Sequence, residues 1–168
     1  VGARLAHLRF DQGALPLQPL PRQRELAPQA RDVGSELTGP ALHARGSRDP
    51  RTREDMEATK GESTQSMVSL SDVLFPGCVV VVECGGEPWT GKFGEMTSWN
   101  LKQSGAKGIV LDSFIRDKWG LEVIPDYTAC ARGTSPVESA KRWRIQAVNV
   151  PIAMPGTLTS QVRITPGD

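Results

Sequence analysis

The order strand, helix, strand between Cys78 and Asp112 constrains this chain more than any other feature. "CVVVVE" (Cys78–Glu83) is a β-branched run bracketed by Pro76-Gly77 and Gly85-Gly86, the pattern of a strand buried on both faces. "GEMTSWNLKQSG" (Gly94–Gly105) carries Met96, Trp99 and Leu101 roughly on one face. It closes on a glycine suited to the position just past a helix end, so it predicts a helix. "GIVLD" (Gly108–Asp112) is a second apolar strand. A unit of this kind, about 35 residues long, predicts parallel strands joined by a right-handed crossover.

Further strands are expected in "LTGPALHARG" (Leu37–Gly46), "YTACAR" (Tyr127–Arg132), "AVNVPI" (Ala147–Ile152) and "QVRIT" (Gln161–Thr165). "DPRTREDMEATKGE" has turn chemistry at Asp49-Pro50, followed by a charged stretch read as loop or short helix. With 168 residues the chain has the length of about one domain. The expected class is α/β: a compact domain whose central mixed sheet contains the βαβ unit and is flanked by helices. Residues 1–36 are set apart as a Pro/Arg-rich segment, extended or irregular, with four prolines between Ala14 and Gln29.

Composition removes several classes of function. Twenty basic residues against nineteen acidic ones leave a net charge of +1, which gives no footprint for nucleic acid or an anionic membrane. No apolar run reaches the roughly 20 residues of a bilayer span, and the N-terminus lacks the apolar core of a signal peptide. Cys78, Cys84 and Cys130 form no CxxC pair, and His7 and His43 are the only histidines, so a Cys/His zinc site is not expected. The thiols read as buried and structural in a reducing, cytoplasmic setting. "AKRWRI" (Ala140–Ile145) mixes basic residues with Trp143 and reads as a solvated face rather than an RNA platform.

The βαβ unit also says where chemistry belongs. Ligands of open α/β sheets bind beyond the carboxyl ends of the strands. The loop Gly85–Gly94 and the segment Ser113–Asp117 both leave at that end, bringing Glu95 towards Arg116 and Asp117. The unpaired N–H groups at the start of the Gly94–Gly105 helix point into the same crevice. Carboxylates, backbone donors and a guanidinium together suit a divalent cation with an oxo-acid. Taken singly, Asp117 could cap the next helix, Glu95 could complement the helix dipole, and Arg116 could pair with a neighbouring carboxylate. "GEPWTGKF" (Gly86–Phe93) fits GxxxxGK, but Phe93 stands where a P-loop needs a hydroxyl and Pro88 lacks an N–H. Lys92 is read as a solvated loop lysine.

These residues carry a family resemblance. "GCVVVVECGG", "GKFGEMTSWNLKQSGAKGIVLDSFIRD", "ARGTSPVES", "AVNVPI" and "PGD" resemble the 4-hydroxy-4-methyl-2-oxoglutarate aldolases and regulators of ribonuclease activity A. The likeness runs from about Leu37 to Asp168, and its strongest element is an acid, twenty intervening residues, then Arg-Asp: Glu95, Arg116 and Asp117. The resemblance implies a divalent-metal-dependent lyase of the class II aldolase type. It would cleave 4-hydroxy-2-oxo acids to pyruvate and decarboxylate oxaloacetate through the same enolate. By that resemblance Asp117 binds Mg²⁺ (or Mn²⁺) directly, and Glu95 holds a metal-bound water. Arg116 contacts the keto or enolate oxygen, while Gly94 and the N–H groups of Met96 and Thr97 receive the substrate carboxylate.

The resemblance also implies a homotrimer or hexamer with sites near subunit interfaces. It allows a second function, a non-enzymatic regulator that binds a ribonuclease or another protein. Two departures are expected to matter. Glu95 stands where the aldolases commonly have Asp, and the chain ends at "TPGD" where family members continue into a strand and a tail that supplies a carboxylate.

Overall fold

The computed structural model describes residues 37–58, 70–87, 89–156, 158–166 and 168. The Pro/Arg-rich segment 1–36 lies outside the described residues. Five strands form the central sheet in the order β5-β3-β2-β1-β7. These are β1 (Ala41–Arg48), β2 (Val79–Glu83), β3 (Gly108–Leu111), β5 (Thr128–Cys130) and β7 (Trp143–Val148). β1, β2, β3 and β5 run parallel to their neighbours, and β7 closes one edge antiparallel to β1. The sheet is therefore mixed, as expected.

The helix α2 (Glu95–Gln103) connects β2 to β3, completing the expected βαβ unit. Gly105 follows the helix with φ +102, a conformation that costs glycine little. The Gly105 N–H donates to the Lys102 carbonyl, and the Ala106 N–H donates to the Leu101 carbonyl at 2.9 Å. This paired closure turns the chain directly into β3. The charged stretch after Pro50 forms α1 (Arg53–Ala58), where the Thr52 hydroxyl accepts from the Asp55 N–H and Asp55 Oδ2 accepts from the Thr52 N–H.

Side chains alternate across the sheet, so each strand feeds two cores. Leu42, Ala44, Val80, Val82, Ile109 and Leu111 pack with Leu101 of α2 and Leu121 of α3 (Lys118–Glu122). On the other face Ala41, Val79, Val81 and Val110 meet Ile152, Met154 and Ile164. Those last three belong to an antiparallel pair, β8 (Ile152–Pro155) and β9 (Gln161–Ile164). The expected single strand "AVNVPI" is instead the break between β7 and β8. Asn149 adopts φ 54 there, and its N–H donates to the His43 carbonyl at 2.9 Å. A left-handed residue cannot continue a strand, and asparagine tolerates that conformation.

Candidate functional site

Beyond the carboxyl ends of β2 and β3, two short strands organise the loops. β4 (Phe114–Ile115) pairs in parallel with β6 (Gly133–Thr134). The Lys92 N–H donates to the Phe114 carbonyl at 2.9 Å, and the Arg116 N–H donates to the Phe93 carbonyl at 3.1 Å. The loop before α2 and the segment before α3 are thus laced together, which brings the two halves of the predicted site into contact.

Asp117 occupies the cap position of α3 but does not cap it. Its backbone is left-handed (φ 58, ψ 47), and its carboxylate makes no cap hydrogen bond. Instead Oδ2 accepts from the Glu95 N–H at 3.4 Å and from Arg116 Nε at 3.2 Å. The capping alternative therefore gives way. A β-carbon at Gly94 would come within 2.4 Å of Asp117 Oδ2, so the carboxylate lies directly over that glycine. A β-carbon at Gly120 would lie 2.2 Å from Glu95 Oε2, which places the Glu95 carboxylate over α3. The Asp117 carboxylate thus lies at the N-terminus of α2, while the Glu95 carboxylate reaches Gly120 of α3. Arg116 lies beside Asp117, with Nη1 3.3 Å from Glu138 Oε1.

Gly94 is extended and supplies no side-chain cap to α2. By helix geometry the N–H groups of Met96 and Thr97 have no acceptor within the helix, and both residues are exposed. The start of α2 therefore has the Asp117 carboxylate and the Arg116 guanidinium beside it. Among the described residues no three His, Cys, Asp or Glu side chains gather to hold a metal. Two carboxylates are nevertheless a fitting donor set for Mg²⁺, which keeps several waters and takes one or two protein oxygens beside its ligand.

The RraA-like (Aldolase/RraA) profile matches residues 22–168. The chain belongs to this family. Among solved structures it resembles Streptomyces coelicolor RraAS2, described as an unusual member of the RNase ES inhibitor RraA protein family. Identity is 29% with a TM-score of 0.60, covering 84% of this chain and 63% of that one. The RraA-like chain thus spans less than two thirds of that relative's length. An uncharacterized protein from Pseudomonas syringae pv. tomato matches at 24% identity and a TM-score of 0.55, over 77% of this chain and 52% of the other. A Geobacillus kaustophilus protein described as an S-adenosylmethionine:2-dimethylmenaquinone methyltransferase matches at 20% and 0.53, over 77% and 67%. These last two likenesses carry the fold alone. No curated protein matches the chain.

Other sequence readings of this RraA-like chain come out differently. Lys92 is not solvated: its side chain is 0% exposed. Nζ donates to Glu87 Oε2 at 2.5 Å and to Ser113 Oγ at 2.8 Å, and it meets the carbonyls of Glu87 and Thr90 at 2.9 and 3.0 Å. It also lies 5.7 Å from the centre of the Trp143 ring. Burial raises the Glu87 pKa, but hydrogen bonds from Lys92, Thr90 and the Trp89 N–H outweigh it and hold the carboxyl at about 2. The P-loop-like lysine thus faces its own loop's carboxylate. Only the opposite charges inside one glycine-flanked loop could have signalled this pair.

Trp143 of "AKRWRI" is buried in β7, and its Nε1 donates to the Cys84 carbonyl at 3.0 Å, so it offers no stacking face. All three cysteines are free; Cys78 and Cys84 are buried and Cys130 half-buried. Burial pushes each thiol pKa up, as suits inert packing groups. A cavity of about 350 Å³ lined by Leu37, Thr38, Lys102, Lys107, Asp126 and Thr128 lies at the opposite end of β3 and β5. Both its lysines are committed to backbone carbonyls, of Asp126 and Thr38. Among the described residues no helix is long and apolar enough to cross a membrane.

Proposed function

We propose that this chain is a divalent-metal-dependent carbon–carbon lyase that releases pyruvate from 4-hydroxy-2-oxo acids and decarboxylates oxaloacetate. The observation that carries the reading is the Asp117 carboxylate, turned away from its own helix and held at the N-terminus of α2 beside Arg116. Asp117 would hold Mg²⁺ or Mn²⁺ directly and Glu95 would hold it through a bound water; the ion would supply Lewis-acid charge stabilisation to the reaction. The N–H groups of Met96 and Thr97 receive the substrate carboxylate, and Gly94 lets it approach the backbone closely. Arg116 faces the C2 oxygen. In cleavage, a base takes the 4-hydroxyl proton and the C3–C4 bond breaks. Its electron pair moves into the C2–C3 bond, leaving pyruvate enolate and a carbonyl product; protonation at C3 then gives pyruvate. Loss of CO₂ from oxaloacetate reaches the same enolate. Arg116 and the helix N-terminus stabilise charge that grows on the way to the enolate, and donors of this kind contribute about 10²–10³ each to rate.

Pyruvate release from oxaloacetate with Mg²⁺, with EDTA, and in Asp117→Ala tests the reading. Metal-dependent turnover that vanishes in the variant is expected; full activity in Asp117→Ala removes the assigned ligand. The three free thiols favour a cytoplasmic setting.

A second reading has its own support. RraAS2 is described as a member of an RNase inhibitor family. In addition Trp89, Met96, Trp119 and Val123, on the loops and helices of the crevice, are exposed. Such a rim suits a protein surface, either a ribonuclease or further copies in a homotrimer or hexamer. Co-purification with a ribonuclease, without metal-dependent turnover, would favour the regulator. A monomer by size-exclusion mass measurement would count against the shared-interface site.

A further inference from the structure

We propose that Glu138 is a positioning residue that aims the Arg116 guanidinium into the crevice; the inference rests on the lyase reading and adds its orienting device. Arg116 is held at two of its nitrogens. Nε lies 3.2 Å from Asp117 Oδ2, and Nη1 lies 3.3 Å from Glu138 Oε1. The third nitrogen, Nη2, faces the helix. A β-carbon at Gly94 would come 3.3 Å from Nε and 3.4 Å from Nη2, so this edge runs along the N-terminus of α2. Nε is already spent on Asp117, so Nη2 is the nitrogen left to donate to an oxygen at the helix N-terminus, such as a 2-oxo acid's keto oxygen. Glu138 ties the guanidinium at Nη1 and leaves Nη2 facing the N–H groups of α2.

The backbone delivers Glu138 to this place. Gly91 bridges in parallel to Phe114 on one side and to Glu138 on the other. The Gly91 N–H donates to the Val137 carbonyl, and the Ser135 N–H donates to the Ile115 carbonyl, each at 2.9 Å. A β-carbon at Gly91 would meet the Ser135 carbonyl oxygen at 2.5 Å and Arg116 Cβ at 2.8 Å, so glycine lets the segments close around Arg116. The Glu138 side chain remains 65% exposed. An ion pair this open contributes little to stability, so its consequence is orientation.

The test is calorimetric titration of the full chain with oxalate in Mg²⁺, oxalate being a planar dianion shaped like pyruvate enolate. Glu138→Ala is expected to weaken oxalate about tenfold, because a misaimed Arg116 loses its Nη2 contact. Glu138→Gln, whose amide oxygen can still face Nη1, stays within about threefold of the wild type. Both variants keep their melting temperature within about 2 °C. In an Arg116→Lys background, which has no planar guanidinium to aim, adding Glu138→Ala changes affinity by less than about twofold. Wild-type affinity in Glu138→Ala, or a tenfold loss that persists beside Arg116→Lys, overturns the inference alone. Absence of Mg²⁺-dependent oxalate binding by the wild type overturns the lyase reading and this inference with it.

Discussion

Lys92 and Arg116 are near neighbours on the same laced backbone, yet their charges live in opposite conditions. Lys92 is sealed, with Glu87, Thr90 and Ser113 around its ammonium. Arg116 is 30% exposed, held by two carboxylates that are themselves 45% and 65% exposed. A buried ammonium must be fully partnered, because a missing partner leaves an uncompensated charge in a dry place. It then has nothing left to offer a ligand. A half-open guanidinium keeps a donor for a ligand, and its water-screened ion pairs add little to folding stability. Burial therefore separates the two roles: Lys92 builds the loop and Arg116 works at its mouth.

The largest expected effect breaks that comparison on its structural side. Lys92→Met leaves Glu87 buried without its cation and is expected to cost about 3–5 kcal/mol of stability. Arg116→Met is expected to stay within about 0.5 kcal/mol of the wild type, because its partners remain solvated. The same Arg116→Met chain should lose most of its Mg²⁺-dependent turnover of oxaloacetate. Urea denaturation of both variants gives the answer, and equal losses would show that Arg116 is also a structural charge.

A smaller effect sharpens the open side. Gly94→Ala drives a methyl group into Asp117 Oδ2, which lies 2.4 Å from the ideal β-carbon position. The backbone at Gly94 is extended (φ −101), so alanine meets no strain there and the carboxylate must move. Turnover is expected to fall about 10²-fold, the order of effect that misplacing a reacting group by about an ångström produces. Steady-state rates beside a denaturation curve separate this from unfolding. An active Gly94→Ala would mean that the Asp117 position is not the productive one.

What the sequence made legible follows from periodicity. The β-branched run before Glu83, the closing Gly105 and the second run at Gly108 are local signals, and the βαβ unit they predict is present. That unit brings the Glu95 N–H to the Asp117 carboxylate, so the meeting of these two segments was readable from one topological rule. The environment of Lys92 was not. Its partner Ser113 stands 21 residues away, at the end of another strand, and a loop lysine looks solvated until that strand arrives. Glu138 and Gly120 were missed for the same reason. Their approach to Arg116 and Glu95 depends on β4–β6 pairing and on α3 folding back over α2, neither of which leaves a spacing pattern. The break at Asn149 was hidden because the residues on both sides favour strands.

Acid exposes the sealed charge again, more gently. Its hydrogen bonds hold the Glu87 carboxyl at about 2 in the folded chain, against an ordinary value of 4.5. A depressed carboxylate pKa gives stability that is fully present above the unfolded value and is lost as pH falls from 4.5 towards 2. The loss is on the order of 3 kcal/mol across that window. Denaturation midpoints at pH 5 and pH 3 should fall in the wild type, whereas Glu87→Gln starts less stable and falls less. Parallel decline of the two chains would assign the acid sensitivity to other groups.

The smallest effect concerns His43, a sealed polar group. It is fully buried on the face covered by β8 and β9, and neither ring nitrogen has a hydrogen-bond partner among the described residues. Burial lowers its pKa, and the charge of Asp168 offsets this in part. The folded chain takes up this proton less readily than the unfolded chain, whose histidine titrates at about 6.5, so stability declines as pH falls through that value. Leucine in its place removes two unsatisfied polar atoms at similar volume and is expected to add about 1 kcal/mol at pH 7. The advantage should widen between pH 7 and pH 5.5, because only the histidine chain has a proton to take up on unfolding. A constant difference across that range would show that His43 is charged or partnered in the folded chain, and that burial alone does not commit a group to structure.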